Sequence, residues 1–130
     1  MESTEIPRAI VAGHGTFPDG VVSAVDQITG KGRSLVAFSN VGLGRDEIES
    51  GMRRLIDTHG IAVIFTDLPG GSATFAARRI MHDIPMLTLV TGVNLTTLLD
   101  FVFCDGSMAP GDAARHAAEK GRASLTTTGG

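Results

Sequence analysis

Four short apolar runs, each followed by a longer amphipathic stretch, constrain this chain more than any other feature. The runs are AIVA at 9–12, LVAF at 35–38, IAVIF at 61–65 and MLTLV at 86–90. Each is short and continuously apolar, the pattern of a strand covered on both faces. Pro85 opens the fourth run, where a missing N–H costs little. The stretches between them carry helical stripes. Val21, Val22, Val25 and Ile28 share a face over 18–28, with Gly30 as the stop. Ile48, Met52, Leu55 and Ile56 do the same over 45–59, where His59 meets the helix dipole and Gly60 ends the run. Phe75, Ala76, Arg79 and Ile80 mark a third helix over 72–82, with Ser72 as its predicted N-cap. Leu95, Leu98, Leu99 and Val102 mark a fourth, capped by Asn94, and a short fifth is expected over 111–120.

This alternation predicts an α/β fold: a mostly parallel central sheet with helices on both faces. No internal repeat or linker interrupts it, so residues 1–130 read as a single domain. The tail 122–130 is Thr-rich. It is expected either to fray or to form an edge strand that needs a partner.

Composition narrows the function classes. The chain is 42% hydrophobic and 19% charged, enough apolar residues for a sizeable core. Its 11 Lys+Arg against 14 Asp+Glu give a net charge of -3, which argues against a nucleic-acid partner. No apolar run reaches the roughly 18 residues of a membrane span, and MESTEIPR lacks the apolar stretch of a signal peptide. The single cysteine, Cys104, suits a reducing, cytoplasmic setting. Glycine is in excess at 17 residues, which implies tight turns and places where backbone approaches a ligand closely.

Ligands of open α/β sheets bind beyond the C-terminal strand ends. Three polar, glycine-bearing turns should lie there: Gly13-His14-Gly15-Thr16, then Thr66 through Ser72, then Thr91-Gly92-Val93-Asn94. His14 stands between two glycines, which leave its imidazole open to a large partner. It is either an unused loop histidine or a nucleophile with a ring suited to neutral pH. Asp67 either closes its strand as a turn residue or accepts a hydrogen bond from one imidazole nitrogen, freeing the other to attack. Gly70 and Gly71 open a helix at Ser72, where amides and a hydroxyl can hold an anion. That motif alone is common; its combination with a histidine and a carboxylate is more specific. His82 and His116 have no second ligand four residues away, which argues against zinc. Nucleotide-binding glycine motifs and the hydrolase nucleophile elbow are absent.

The segments IVAGHGTFPDG, TDLPGGSATFAARRI and LVTGVNLTTLLDF, in this order and spacing, resemble the mannose-type IIA component of the bacterial sugar phosphotransferase system. The resemblance spans about three quarters of the chain. It implies that His14 is the phosphorylated residue, that Asp67 bonds Nδ1, and that Nε2 carries the phosphoryl group. Gly70, Gly71 and Ser72 match the phosphate cradle, while Gly15, Thr16, Thr91 and Asn94 match the rim. It further implies a parallel α/β fold and a homodimer that exchanges a C-terminal antiparallel edge strand, for which SLTTTG has the β-branched residues. Its partners would be HPr as phosphoryl donor and a IIB component as acceptor, with the membrane met only through the permease. No metal or cofactor is implied. Pro69 and Ala73 depart from the family's pattern, as does the missing acidic turn over 39–44. Two other readings compete: a phosphorylation-dependent regulatory module uncoupled from transport, and an anion-binding protein without histidine chemistry.

Overall fold

The computed structural model describes residues 6–104 and 106–130. Strand β1 (Ala9–Gly13) lies inside the sheet, with β2 (Leu35–Ser39) on one side and β3 (Val63–Thr66) on the other. Strand β4 (Thr88–Val90) pairs with the far side of β3, giving the order β2-β1-β3-β4 with every pairing parallel. Helices α1 (Phe17–Thr29), α2 (Arg45–His59), α3 (Ser72–Asp83), α4 (Leu95–Phe103) and α5 (Pro110–Ala123) complete the chain, and a short 3-10 turn at Gly32–Ser34 precedes β2.

The pleat divides the core into two layers. Ala9, Val11, Val63 and Phe65 point to one face, where Val25 of α1, Leu98 and Phe101 of α4 and the alanines of α5 cover them. Ile10, Ala12 and Ile64 point to the other, against Ile48, Met52 and Ile56 of α2 and Ala76, Ala77 and Ile80 of α3. Phe65 and Phe101 meet edge to face at 5.1 Å. Such a pair adds about 0.5–1.5 kcal/mol beyond the burial of its rings. The α/β expectation therefore holds, with helices on both faces and a wholly parallel sheet among the described residues.

Local boundaries differ for identifiable reasons. The third strand starts at Val63, because the Ile61 N–H closes helix α2 on the carbonyl of Ile56. The fourth starts at Thr88, since Pro85 and Met86 lie in a turn closed by Leu87 N–H on Ile84 O, with Met86 exposed. The cap of α3 is Gly71, at φ 92°, and Ser72 is the first helical residue instead of the cap. Helix α5 runs past the expected stop at 120 to Ala123. Gly121 lies within it because α4 is so close: a Cβ there would sit 1.8 Å from Thr97 Oγ1. Beyond Ser124 the tail forms no regular structure in the single chain.

Candidate functional site

The chain runs from β1 outward to β2, then returns to the other side of β1 as β3. The C-terminal ends of β1 and β3 therefore flank the point where the strand order reverses, the usual ligand crevice of an open parallel sheet. His14 follows β1 and Asp67 follows β3, so the fold brings together two residues 53 positions apart.

Their contact is specific. His14 Nδ1 lies 2.7 Å from Asp67 Oδ2, and the same oxygen accepts the His14 backbone N–H at 2.9 Å. An ionised carboxylate can only accept, so Nδ1 carries the proton and the lone pair of the neutral ring lies on Nε2. The two bonds fix both the ring and the chain that bears it. Asp67 Oδ1 is buried and finds no hydrogen-bond partner among the described residues. A buried charged oxygen left unpaired is costly, so packing gives no reason for a carboxylate here. The imidazole itself is about half exposed, at 52%.

Two glycines admit this arrangement. A Cβ on Gly13 would lie 2.6 Å from the Asp67 carboxyl, and one on Gly71 would lie 3.1 Å from His14 Cε1. Gly71 also holds a positive φ that side chains disfavour. The ring thus rests against the opening of α3, whose first turn has no side-chain cap. The amides there are an anion-binding feature with the positive end of the helix dipole behind them. Gly70, Gly71 and Ser72 all lie at this opening, as their sequence pattern led us to expect.

The turn after β2 contributes residues that the sequence reading passed over. Asn40 Nδ2 donates to Ser72 Oγ at 3.1 Å, leaving the serine its own proton to donate elsewhere. The Asn40 N–H donates to Gly13 O, and Ser39 Oγ donates to Gly15 O at 2.8 Å, bracing the loop that carries His14. The signal was available: a polar Ser-Asn pair directly follows an apolar run whose strand neighbours β1. Thr66 was placed in its turn without a partner, and Thr74 was missed. Their hydroxyls share a 2.7 Å bond, and Thr74 bonds Leu68 O at 2.6 Å, locking the turn that holds Asp67.

The remaining expected rim residues divide. Thr16 is the cap position of α1, directly after His14 and Gly15. Asn94 caps α4 as expected, accepting from Thr97 N–H at 3.0 Å, but its amide donates to Gly121 O on α5. With Thr91, it lines a groove of about 700 Å³ along the free side of β4. Its amide donates to Gly121 O and Ser124 Oγ at the end of α5, its oxygen accepts from Thr97 of α4, and none of these bonds goes to His14.

One family model matches most of the chain, and several solved structures share its fold. Residues 8–118 match the model of EIIA-man, described as PTS system fructose IIA component. The fold is that of a mannose/sorbose-specific IIA subunit from Enterococcus faecalis, at TM-score 0.79, 19% identity and coverage of 95% of this chain and 96% of that one. It is equally that of EIIA from Streptococcus agalactiae, at 0.83, 19%, 94% and 97%. A IIA protein associated with the fucose utilization operon of Streptococcus pneumoniae is similar at 0.81, 20%, 97% and 96%. No curated protein sequence matches the chain. Since the family match extends from the start of β1 well into α5, the chain belongs to the EIIA-man family of phosphotransferase system IIA components.

Proposed function

We propose that this chain is a single-domain, cytoplasmic phosphoryl carrier that accepts phosphate from HPr on His14 and passes it to a IIB component. The observation that carries the reading is the Nδ1–Asp67 contact of 2.7 Å beside the uncapped opening of α3. The Nε2 lone pair attacks the phosphorus of phosphohistidine on HPr. The donor's P–N bond breaks, and its electron pair returns to the donor ring. No proton changes hands between His14 and Asp67. The new phosphoryl oxygens are met by the first amides of α3 and the Ser72 hydroxyl. Delivery to IIB is the same exchange run onward, because each phosphohistidine makes another.

A protein partner suits the surroundings. Val41, Leu68 and Phe75, from the turns and helix around the site, are 67%, 50% and 56% exposed. No helix among the described residues is long and apolar enough to cross a membrane, in keeping with contact through a separate permease. The free edge of β4 and the exposed Leu125 beside it fit a homodimer that exchanges its tail as an antiparallel strand.

The test is labelling with phosphoenolpyruvate, enzyme I and HPr. Wild-type protein should take up one phosphoryl group on Nε2, and His14→Ala should take up none. Label on the variant, or on Nδ1 of the wild type, would overturn the assignment. A labelled protein that passes its phosphate to no IIB would support the regulatory module instead.

A further inference from the structure

Helices α4 and α5 hold a second constellation, remote in sequence from His14 and Asp67. Asp100 and Cys104 are four residues apart on α4 and its C-terminal cap, so they share a face. The buried Ala113, Ala117 and Gly121 let α5 lie close against that helix, and His116 comes in from α5. His116 Nδ1 lies 2.7 Å from Asp100 Oδ2. One donor atom each from Asp100, Cys104 and His116 all fall within 4.8 Å of one another. Zinc geometry needs donors about 3.3–3.6 Å apart, from metal–ligand distances of about 2.0–2.3 Å in a tetrahedron.

We propose that Asp100, Cys104 and His116 form a site for a borderline-soft divalent cation, with Zn²⁺ the best match. A thiolate with an imidazole and one carboxylate oxygen is a donor set that selects zinc over magnesium or calcium. On binding, the cation replaces the hydrogen bond between His116 and Asp100. The thiol gives its proton to solvent, and the imidazole proton moves to the ring nitrogen that faces away from the metal. Three protein ligands leave a fourth position for water. His116 and Asp100 are partly exposed, which supplies the entry path. The cation would tie α4 to α5, the helix that leads into the tail. Histidine spacing along one helix could not reveal this set, because its ligands come from two helices.

The test is titration of the full chain with Co²⁺, followed by displacement with Zn²⁺. One Co²⁺ per chain should bind with thiolate-to-cobalt charge-transfer absorption in the near ultraviolet. Zn²⁺ should abolish that absorption and raise the melting temperature by about 3–6 °C at saturation. Cys104→Ser should remove the band, and His116→Ala should weaken binding about tenfold or more. Absence of the band at saturating Co²⁺ overturns the proposal, as does a band that survives Cys104→Ser. If either variant fails to fold, alkylation of Cys104 in the folded wild type replaces it and should equally remove the band.

Discussion

Among the described residues, two histidine–aspartate pairs occur with the same atoms at the same distance. His14 Nδ1 to Asp67 Oδ2 and His116 Nδ1 to Asp100 Oδ2 are both 2.7 Å, and the imidazoles are 52% and 45% exposed. The surroundings separate them. Asp67 also grips the His14 backbone, and the ring rests on a glycine at the start of a helix. Asp100 lies well inside α4, with a cysteine one turn later and no helix opening turned toward the pair. The first pair is set among donors and suits an anion. The second is set among electron-pair donors and suits a cation. A hydrogen-bonded histidine and carboxylate therefore say little by themselves; the groups around them decide the chemistry.

Matched substitutions should split the two pairs. Asp67→Asn removes the charge that fixes the His14 tautomer, and phosphoryl uptake from HPr should slow by about 100-fold or more, as when the carboxylate that orients a catalytic imidazole becomes an amide. Asp100→Asn should leave uptake within about twofold and weaken Co²⁺ binding instead. Initial rates of labelling and a cobalt titration on both variants check this, and equal losses of uptake would erase the distinction. A smaller effect is expected at Gly71. Alanine there must hold φ near 92° and press on His14 Cε1 from 3.1 Å. Uptake should fall about tenfold through displacement of the ring. The same rate assay, with the thermal midpoint measured alongside, separates that displacement from unfolding.

Most of the fold was legible because burial on both faces writes itself as short, continuous apolar runs. The layers of β1 and β3 follow from 9–12 and 61–65 alone. What misled was local competition for the same residues. Ile61 is apolar and buried, yet its N–H closes α2, and Gly121 looks like a stop although it serves as a contact surface for Thr97. At the site, His14, Asp67 and the 70–72 turn were legible from their places after strands. Asn40 was passed over although a polar pair follows its strand, because the turn after β2, residues 39–44, carries no histidine or carboxylate. Its role depends on strand order, which places β2 beside β1. The partners of Asn94 were equally hidden, because they come from a helix whose length was underestimated.

A third polar cluster supplies the baseline for both pairs, since it joins helices without any donor set or cradle around it. Glu49 Oε1 accepts from Arg79 Nε at 2.7 Å, and its other oxygen faces Arg53, which also bonds Asp83 at 2.7 Å. The Arg79 hydrogen bond, then that of Arg53, holds the Glu49 carboxyl below its ordinary pKa. A group whose pKa is depressed on folding adds stability above its unfolded pKa and loses it as pH falls through the folded value. Glu49→Gln should therefore lower the melting temperature at pH 7, by about 1–3 °C for a solvent-screened network. The gap between variant and wild type should narrow as pH falls below the ordinary carboxyl range and close only below the depressed folded value, where both side chains are neutral. Thermal melts across that range check the sign. Phosphoryl uptake and Co²⁺ binding should not change, because the network ties α2 to α3 on the face opposite α4 and α5. A loss of either activity in Glu49→Gln would mean that helix packing, and not the immediate surroundings of each pair, sets their chemistry.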